Sequence, residues 1–212
     1  MNKIEKVDYS YTNWGPFLFK TTMPDYIIKK LKTEGKKAKT SYNKSLAGHL
    51  ANQFLYPLEI QNWFYNEINP IITAYRKGHC KFHGMKDLRI ELQADDLWVN
   101  YMQACDFNPV HTHGADYSFV LFLDVPKELK NEQKKFEGTS SKPGSLMFEF
   151  TQQARPRYAT TGSSILPSTG DFYMFPAMLQ HWVAPFKSKV TRISVSGNIR
   201  ILNKDKLPHD YF

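Results

Sequence analysis

The sequence predicts a double-sheet jelly roll that is buttressed by helices at its N-terminal side. The chain has 212 residues, of which 42% are hydrophobic and 15% aromatic, enough for one folded domain with a sizeable core. Apolar residues recur at helical spacing before residue 85, whereas short apolar or alternating segments separated by turn residues follow it. Many short strands of this kind are typical of a sandwich or barrel. We therefore expect residues 1–85 to form a helical buttress and residues 86–212 the jelly-roll core of the same domain.

Two helices are expected in the N-terminal part. The segment MPDYIIKKLKTEG has proline near its start and glycine at its end, the usual asymmetry of a helix. The segment PLEIQNWFYNEINPIITAYRKG starts with Pro57 and stops before Gly78, and its apolar residues recur at helical spacing. Pro70 is expected to kink or split this second helix.

The strands are expected after residue 85. YSFVLFLDV is a continuous apolar run, which predicts a strand that is buried on both faces. The remaining strand segments are DLRIELQ, DLWVNYMQA, GSLMFEF, GDFYMFP, HWVAPF and TRISVSGNIRIL. A lysine- and glutamate-rich loop is expected between Pro126 and Pro143, and a second loop between Phe150 and Leu166.

Composition and charge narrow the class of protein. No apolar run approaches the length of a membrane span and no secretory signal is recognisable, so we expect a soluble, cytoplasmic protein with no membrane partner. The two cysteines do not form a CxxC pair, which argues against a cysteine zinc site. The net charge is +8, and six lysines lie between Lys29 and Thr40. These lysines indicate either a solvated helix face or an anion-binding surface.

Three histidines are candidate metal ligands. His111 and His113 stand just before the apolar run in NPVHTHGADYSFVLFLDVP, and in an extended chain they point to the same side. His181 follows 70 positions after His111, at the start of another predicted strand, and distant strands can be neighbours in a jelly roll. Three neutral imidazoles could hold a divalent metal ion and leave positions open. For His79 and His83, the flanking glycines argue against a helix that would place them on one face.

The last predicted strand carries a candidate anion-binding residue. In VTRISVSGNI, alternation places Arg192 and Ser194 on one face with other polar residues, and the apolar residues on the opposite face. The polar face could simply meet solvent. If Arg192 instead points into the barrel, it requires an anionic partner such as a carboxylate. A metal ion and an inward arginine would then hold a dicarboxylic acid at both ends.

These motifs, in this order and spacing, resemble the 2-oxoglutarate/Fe(II)-dependent oxygenase superfamily. The most similar branch is the prolyl-hydroxylase-like one found in bacteria and phages, and the resemblance extends from Leu88 to Leu202. It implies a double-stranded β-helix fold, Fe(II) as metal, and 2-oxoglutarate and O₂ as co-substrates. The implied reaction hydroxylates an unactivated C–H bond, for which a peptidyl residue such as proline is the suggested substrate, and releases succinate and CO₂. A phage-encoded member would act in the host cytoplasm.

The resemblance also implies roles for individual residues. His111, His113 and His181 would bind the metal, Arg192 would hold the far carboxylate of 2-oxoglutarate, and Ser194 would add a hydrogen bond to it. Asn100 or Tyr101 could also reach this carboxylate. Phe175 and Trp182 could wall the site against water.

One position departs from the family pattern. The usual motif is HxD, which gives two histidines and one carboxylate, whereas His113 stands at the carboxylate position here. Asp116 could take that place instead, or the place could be vacant.

Two other classes of protein remain open from the sequence. A cupin-like protein could hold a metal ion on three histidines without using 2-oxoglutarate. A non-catalytic jelly-roll binding module would have histidines that merely lie in loops. We expect the substrate to be a protein or a small molecule. The basic surface leaves a nucleic acid open, but the RxNxTxR pattern of the AlkB-type nucleic-acid demethylases is absent after Arg192, which argues against it.

Overall fold

Two antiparallel β-sheets face each other in the computed structural model, which describes residues 15–86, 90–150 and 162–203. The strands are β1 (Phe19–Thr22), β2 (Thr40–Ser41), β3 (Asn52–Leu55), β4 (Leu92–Met102), β5 (Asn108–His111), β6 (Tyr117–Asp124), β7 (Leu146–Glu149), β8 (Gly162–Ile165), β9 (Asp171–Pro176), β10 (Gln180–Val183) and β11 (Arg192–Ile201). The larger sheet has the order β1-β9-β6-β11-β4-β3-β2, and the smaller one the order β5-β10-β7-β8. This is the predicted double-sheet architecture.

Three α-helices accompany the sheets in the described part of the chain. They are α1 (Asp25–Lys37), α2 (Leu58–Phe82) and α3 (Lys127–Lys134). None of the helices formed by the described residues is long and apolar enough to cross a membrane.

The larger sheet separates two apolar cores. On one face it packs against α1 and α2, in a helix-side core that includes Leu31, Phe64 and Phe119. On the other face it packs against the smaller sheet, in an inter-sheet core that includes Phe122 and Phe148. Since alternate residues of a strand point to opposite faces, β6 contributes to both cores. The prediction that this strand is buried on both faces is confirmed.

The N-terminal part forms strands as well as the two predicted helices. β3 pairs with β4, β2 pairs with β3, and β1 pairs with β9 at the opposite edge of the larger sheet. The N-terminal part therefore contributes strands to the larger sheet as well as helices that pack on it. The division into a buttress of residues 1–85 and a catalytic core of residues 86–212 stays a prediction.

Two glycines that the sequence predicts at helix ends lie inside helices. α1 continues past Gly35, and α2 continues through Gly78 to Phe82. A β-carbon on Gly35 would lie 2.9 Å from the hydroxyl of Tyr56, and one on Gly78 would lie 2.9 Å from the ring of Phe17. These glycines thus permit close packing rather than ending a helix.

Pro70 neither splits α2 nor ends it. α2 is one helix of 25 residues that includes this proline. Pro70 is exposed, so the carbonyl that loses its helical hydrogen bond can be hydrated instead.

The C-terminal part confirms most of the predicted strands, but α3 occupies part of the first predicted loop and β8 (Gly162–Ile165) part of the second. The segments around 92–102, 117–124, 146–149, 171–176, 180–183 and 192–201 are strands. The predicted loop after Pro126 instead begins with α3, in which Leu129 is buried. Glu132 in α3 accepts hydrogen bonds from the backbone N–H groups of Lys187 and Ser188 and so fixes the helix to the loop between β10 and β11. Of the predicted loop from 150 to 166, residues 151–161 lie outside the described residues.

Candidate metal centre and active site

A cavity of about 220 Å³ lies between the two sheets. The larger sheet supplies its polar floor, the smaller sheet and the loop after β5 supply the histidines, and the segment from Ser45 to Leu50 closes one side. At about 30 Å³ per molecule in liquid water, this volume equals a handful of waters. It can hold a small metabolite, but not a folded partner.

The three predicted histidines meet at this cavity. His111 ends β5 and His181 lies opposite it in the register of β5 and β10. His113 follows two residues after His111, and the backbone N–H of His113 donates to the carbonyl of Ala177 at 2.9 Å. One nitrogen from each ring lies within 4.8 Å of one from each of the others. Two nitrogens on one ion are at most about 4.2 Å apart, so small ring rotations would bring all three around a metal ion.

Backbone carbonyls orient two of these rings. Nδ1 of His111 lies 2.8 Å from the carbonyl oxygen of Pro109, and Nδ1 of His181 lies 2.8 Å from that of Leu179. A neutral imidazole that donates from Nδ1 has its lone pair on Nε2, the usual arrangement of a metal-binding histidine. The Nε2 atoms of His181 and His113 are 3.2 Å apart.

Burial keeps the cluster neutral. It lowers the pKa of His113 to about 4 and that of His181 to about 3, with a smaller effect from neighbouring His111 in both cases. The pKa of His111 is also lowered, again mainly by burial. The ring of Phe175 packs 4.8 Å from that of His181 and shields it from water. Near neutral pH the cluster offers three uncharged nitrogen ligands.

Asp116 lies outside the cluster. Its carboxylate accepts a hydrogen bond of 2.7 Å from the backbone N–H of Ile201, at the end of β11. Within the described residues, the set of potential ligands at this point contains the three histidines and no carboxylate.

Arg192 points into the same cavity. It is 3% exposed and donates one hydrogen bond of 3.1 Å to the carbonyl of Gly144. Its guanidinium carbon lies 5.3 Å from the centre of the Phe122 ring. Its Nε has no hydrogen-bond partner, and no carboxylate of the described residues forms an ion pair with it. Burial lowers the pKa of Arg192 to about 10, which still leaves it charged at neutral pH.

A row of polar side chains crosses the floor of the cavity. In register, Ser194 lies opposite Asn100, and Asn100 lies opposite Gln53. Gln53 donates from Nε2 to Oδ1 of Asn100 at 2.8 Å, and Asn100 donates to the hydroxyls of Ser194 and Ser196 at 3.5 and 3.4 Å. The predicted inward face of β11 is therefore the one that lines the cavity.

Two predicted site residues do not reach the cavity. Tyr101 follows Asn100 in β4 and so points to the opposite face, where it packs in the helix-side core with its hydroxyl beside Gly35. Trp182 alternates with His181 in β10 and likewise lies outside the cavity lining. By contrast, Asn100 and Phe175 are both in the lining.

Several cavity residues could not be predicted from the sequence. Gln53, Asn108 and Trp98 line the cavity. Trp98 packs against the ring of His113, with centroids 6.2 Å apart. Gln53 lies in a strand of the predicted helical part, so only knowledge of the pairing between β3 and β4 could have identified it.

A buried arginine without an acid and three neutral imidazoles together fit a metal ion with a bound dicarboxylate. Residues 96–198 match the model of a family described as "Putative 2OG-Fe(II) oxygenase". A search of curated protein sequences gives no match.

Solved structures with the same fold contain different bound molecules. A viral collagen prolyl hydroxylase from Paramecium Bursaria Chlorella virus-1, in complex with 2OG, is 14% identical with a TM-score of 0.54, covering 87% of this chain and 96% of its own. HygX from Streptomyces hygroscopicus, with nickel, 2-oxoglutarate and hygromycin B bound, is 8% identical with a TM-score of 0.59, covering 90% and 84%. A Trichoplax adhaerens prolyl hydroxylase, in complex with a peptide fragment of hypoxia inducible factor, is 9% identical with a TM-score of 0.54, covering 92% and 86%.

At such low identities these structures establish the fold, a double-stranded β-helix, as predicted. The family match supports an oxygenase and implies Fe(II) and 2-oxoglutarate as cofactor and co-substrate. Residues 96–198 of this chain are thus similar to the 2OG-Fe(II) oxygenase family, in agreement with the resemblance of the sequence.

Proposed function

We propose that this protein is a 2-oxoglutarate-dependent hydroxylase that inserts oxygen into an unactivated C–H bond, with a residue of a polypeptide as its substrate. One atom of O₂ would enter the hydroxyl group and the other the succinate, and CO₂ would leave. The observation that carries the proposal is the presence of Arg192 and the three-histidine cluster in one cavity.

In this proposal, His111, His113 and His181 hold Fe(II), which supplies the activation of O₂. The carbonyls of Pro109 and Leu179 hold the Nδ1–H groups of two of these rings, so that both rings present Nε2. Phe175 keeps water away from the cluster, which limits competing reactions of the activated oxygen.

Arg192 would bind the carboxylate of 2-oxoglutarate that is remote from the metal. The proposal is supported by the burial of its guanidinium, which has a hydrogen bond to Gly144 but no acid among the described residues. A carboxylate there would satisfy the charge and the free Nε–H. Ser194 and Asn100 stand in the adjacent row and can donate to the same group.

A polypeptide substrate is the narrower part of the proposal. It is supported by the resemblance of the sequence to the prolyl-hydroxylase-like branch and by two structural neighbours, a collagen prolyl hydroxylase and a prolyl hydroxylase in complex with a peptide fragment. HygX, with hygromycin B bound, shares the fold as well. A small-molecule substrate is therefore the alternative that the experiment must test.

The first experiment measures formation of the co-substrate complex. Anaerobic addition of Fe(II) and then 2-oxoglutarate should give the visible charge-transfer band of a chelated 2-oxo acid. After admission of O₂, succinate should be released. Metal binding without the band would contradict the proposal and favour a three-histidine metal protein that does not use 2-oxoglutarate.

The second experiment addresses the substrate. Incubation with a library of proline-containing peptides, followed by mass spectrometry, should reveal peptides that have gained one oxygen atom. Stimulation of succinate release by small molecules alone, with no oxidised peptide, would contradict the polypeptide assignment.

A further inference from the structure

Unsatisfied polar atoms concentrate in the candidate active site. Among the described residues, four buried side-chain nitrogen or oxygen atoms lack a hydrogen-bond partner: Gln53 Oε1, Tyr75 Oη, Asn108 Oδ1 and Arg192 Nε. Three of these four belong to residues that line the cavity between the two sheets. Most buried polar atoms in folded proteins are hydrogen-bonded, and exceptions often mark functional sites. Arg192 is explained by 2-oxoglutarate, but the two amide oxygens are not.

The two amides approach each other from opposite sheets. Gln53 is 2% exposed in β3 of the larger sheet. Asn108 starts β5 of the smaller sheet, in the same strand as His111. Both lie under Gly48, where an added β-carbon would be 3.3 Å from Nε2 of Gln53 and 3.4 Å from Oδ1 of Asn108. The amide of Gln53 and the amide oxygen of Asn108 are therefore near each other, and both residues line the cavity.

The orientation of Gln53 is fixed by its neighbour. Its Nε2 donates to Asn100 at 2.8 Å, and this leaves Oε1 as the free end of the amide. The terminal torsion of such a side chain is soft, so the oxygen can adjust to a ligand by a small rotation that keeps the bond to Asn100. Gln53 and Asn108 thus offer two acceptors, whereas Arg192, Ser194 and the amide nitrogen of Asn100 offer donors.

We propose that Gln53 and Asn108 form a second subsite, which binds a nitrogen hydrogen-bond donor of the primary substrate, such as a carboxamide or a peptide N–H. This inference rests on the proposed function and names the recognition chemistry of its substrate. The carboxylates of 2-oxoglutarate only accept hydrogen bonds and are repelled by the amide oxygens. A substrate without N–H groups would leave both acceptors unpaired, and a site built in this way rejects such analogues strongly.

The test uses two probes of almost equal shape. Benzamide carries N–H donors, whereas methyl benzoate keeps the carbonyl but has none. Binding is measured by saturation-transfer NMR on the full chain loaded with Zn(II) and 2-oxoglutarate, so that no turnover occurs. We expect benzamide to bind wild type about tenfold more tightly than methyl benzoate. Equal affinities would overturn the inference.

Substitutions at Asn108 locate the preference. Asn108→Leu should abolish the preference for benzamide over methyl benzoate. Asn108→Asp should keep this preference and should bind the cation benzamidine more tightly than wild type does. A preference that survives in Asn108→Leu would overturn the inference. Asn43→Leu is the control for folding, because both ends of the Asn43 amide are hydrogen-bonded within the segment from Asn43 to Gln53.

A stability measurement separates a binding role from a structural one. The ligand-free Asn108→Leu variant should unfold at the same temperature as wild type or higher, since the lost oxygen has no partner. Asn43→Leu should unfold at a lower temperature. Equal destabilisation by both substitutions would make Asn108 structural and overturn the inference. Failure of wild type to bind 2-oxoglutarate would instead refute the proposed function. The preference for benzamide can still be measured in that case, on protein loaded with Zn(II) but without 2-oxoglutarate.

Discussion

The Nε2 atoms of His113 and His181 lie 3.2 Å apart, although 68 positions separate the two residues in the chain. This approach depends on the pairing of β5 with β10 and on the hydrogen bond from the backbone of His113 to Ala177. Two neutral imidazole nitrogens at this distance are positioned to share one metal ion.

Replacement of either histidine should therefore weaken metal binding. His113→Ala and His181→Ala should each reduce Fe(II) affinity by more than about 100-fold, because loss of a direct ligand costs more than loss of its hydrogen-bonding partner. Anaerobic titration calorimetry measures the affinity. His79→Ala is the control, since His79 lies in α2 beside Tyr75 and Phe17. Unchanged Fe(II) affinity in His181→Ala would refute the proposed ligand set.

His113→Asp tests the departure from the usual HxD motif. The substitution creates a set of two histidines and one carboxylate. If His113 occupies the carboxylate position, His113→Asp should bind Fe(II) and release succinate, whereas His113→Ala should do neither well. An inactive His113→Asp with normal Fe(II) binding would show that the position needs an imidazole.

Arg192→Met tests the carboxylate site. Truncation of one partner of a buried charge pair costs about 2–5 kcal/mol, so the dissociation constant of 2-oxoglutarate should rise about 30-fold or more. The ligand-free variant should be at least as stable as wild type, because an unpaired buried charge has been removed. Thermal unfolding with and without 2-oxoglutarate checks both effects. Arg200→Met, which removes an exposed ion pair with Asp95, serves as the control.

Neighbouring residues of β4 should differ in their effects. Asn100→Ala should weaken 2-oxoglutarate binding several-fold, since Asn100 donates into the polar row on the cavity floor. Tyr101→Phe should leave the affinity unchanged, because this hydroxyl lies beside α1 on the far face of the sheet. Fluorescence-monitored titration with 2-oxoglutarate distinguishes the two. A larger effect from Tyr101→Phe would refute the assignment of faces.

The stability of the metal-free protein should fall in acid. The pKa of His113 is lowered from 6.5 to about 4 and that of His181 to about 3, so the unfolded chain takes up protons that the folded chain excludes. The contribution of the neutral histidines to the free energy of unfolding is then fully present above about pH 6.5 and is lost as the pH falls toward 3. At pH 5 each histidine should lower the free energy of unfolding by about 2 kcal/mol relative to pH 7.

Urea unfolding at pH 7 and pH 5 measures this loss. His113→Gln should show a drop that is smaller by about 2 kcal/mol. An equal drop in both proteins would mean that His113 is not buried in its neutral form.

Much of the site was predictable because it depends on alternation. His111 with His113, and Arg192 with Ser194, are pairs two residues apart, so each pair shares one face of an extended chain. Tyr101 shows the limit of this reasoning. Asn100 and Tyr101 are adjacent in β4 and point to opposite faces, and only the contacts of the sheet decide which of them meets the cavity.

The errors at the two helix ends have a common cause. Gly35 and Gly78 are strong local signals for the end of a helix. The two glycines are required because Tyr56 and Phe17 pack against them from elsewhere in the chain. Such distant partners leave no local trace in the sequence. The cytoplasmic location and the identity of the substrate likewise stay predictions.

The pairing of β3 with β4 has a consequence for dissecting this protein. A fragment that started at residue 86 would contain the three histidines and Arg192 but would lose Gln53 and the segment that closes the cavity beside it. It would also leave the edge of β4 unpaired, which invites association with other chains. The segment that matches the family model is thus not expected to form a complete cavity on its own. Its histidines and Arg192 lie in one part of the chain, whereas Gln53 and the residues that close the cavity lie in another.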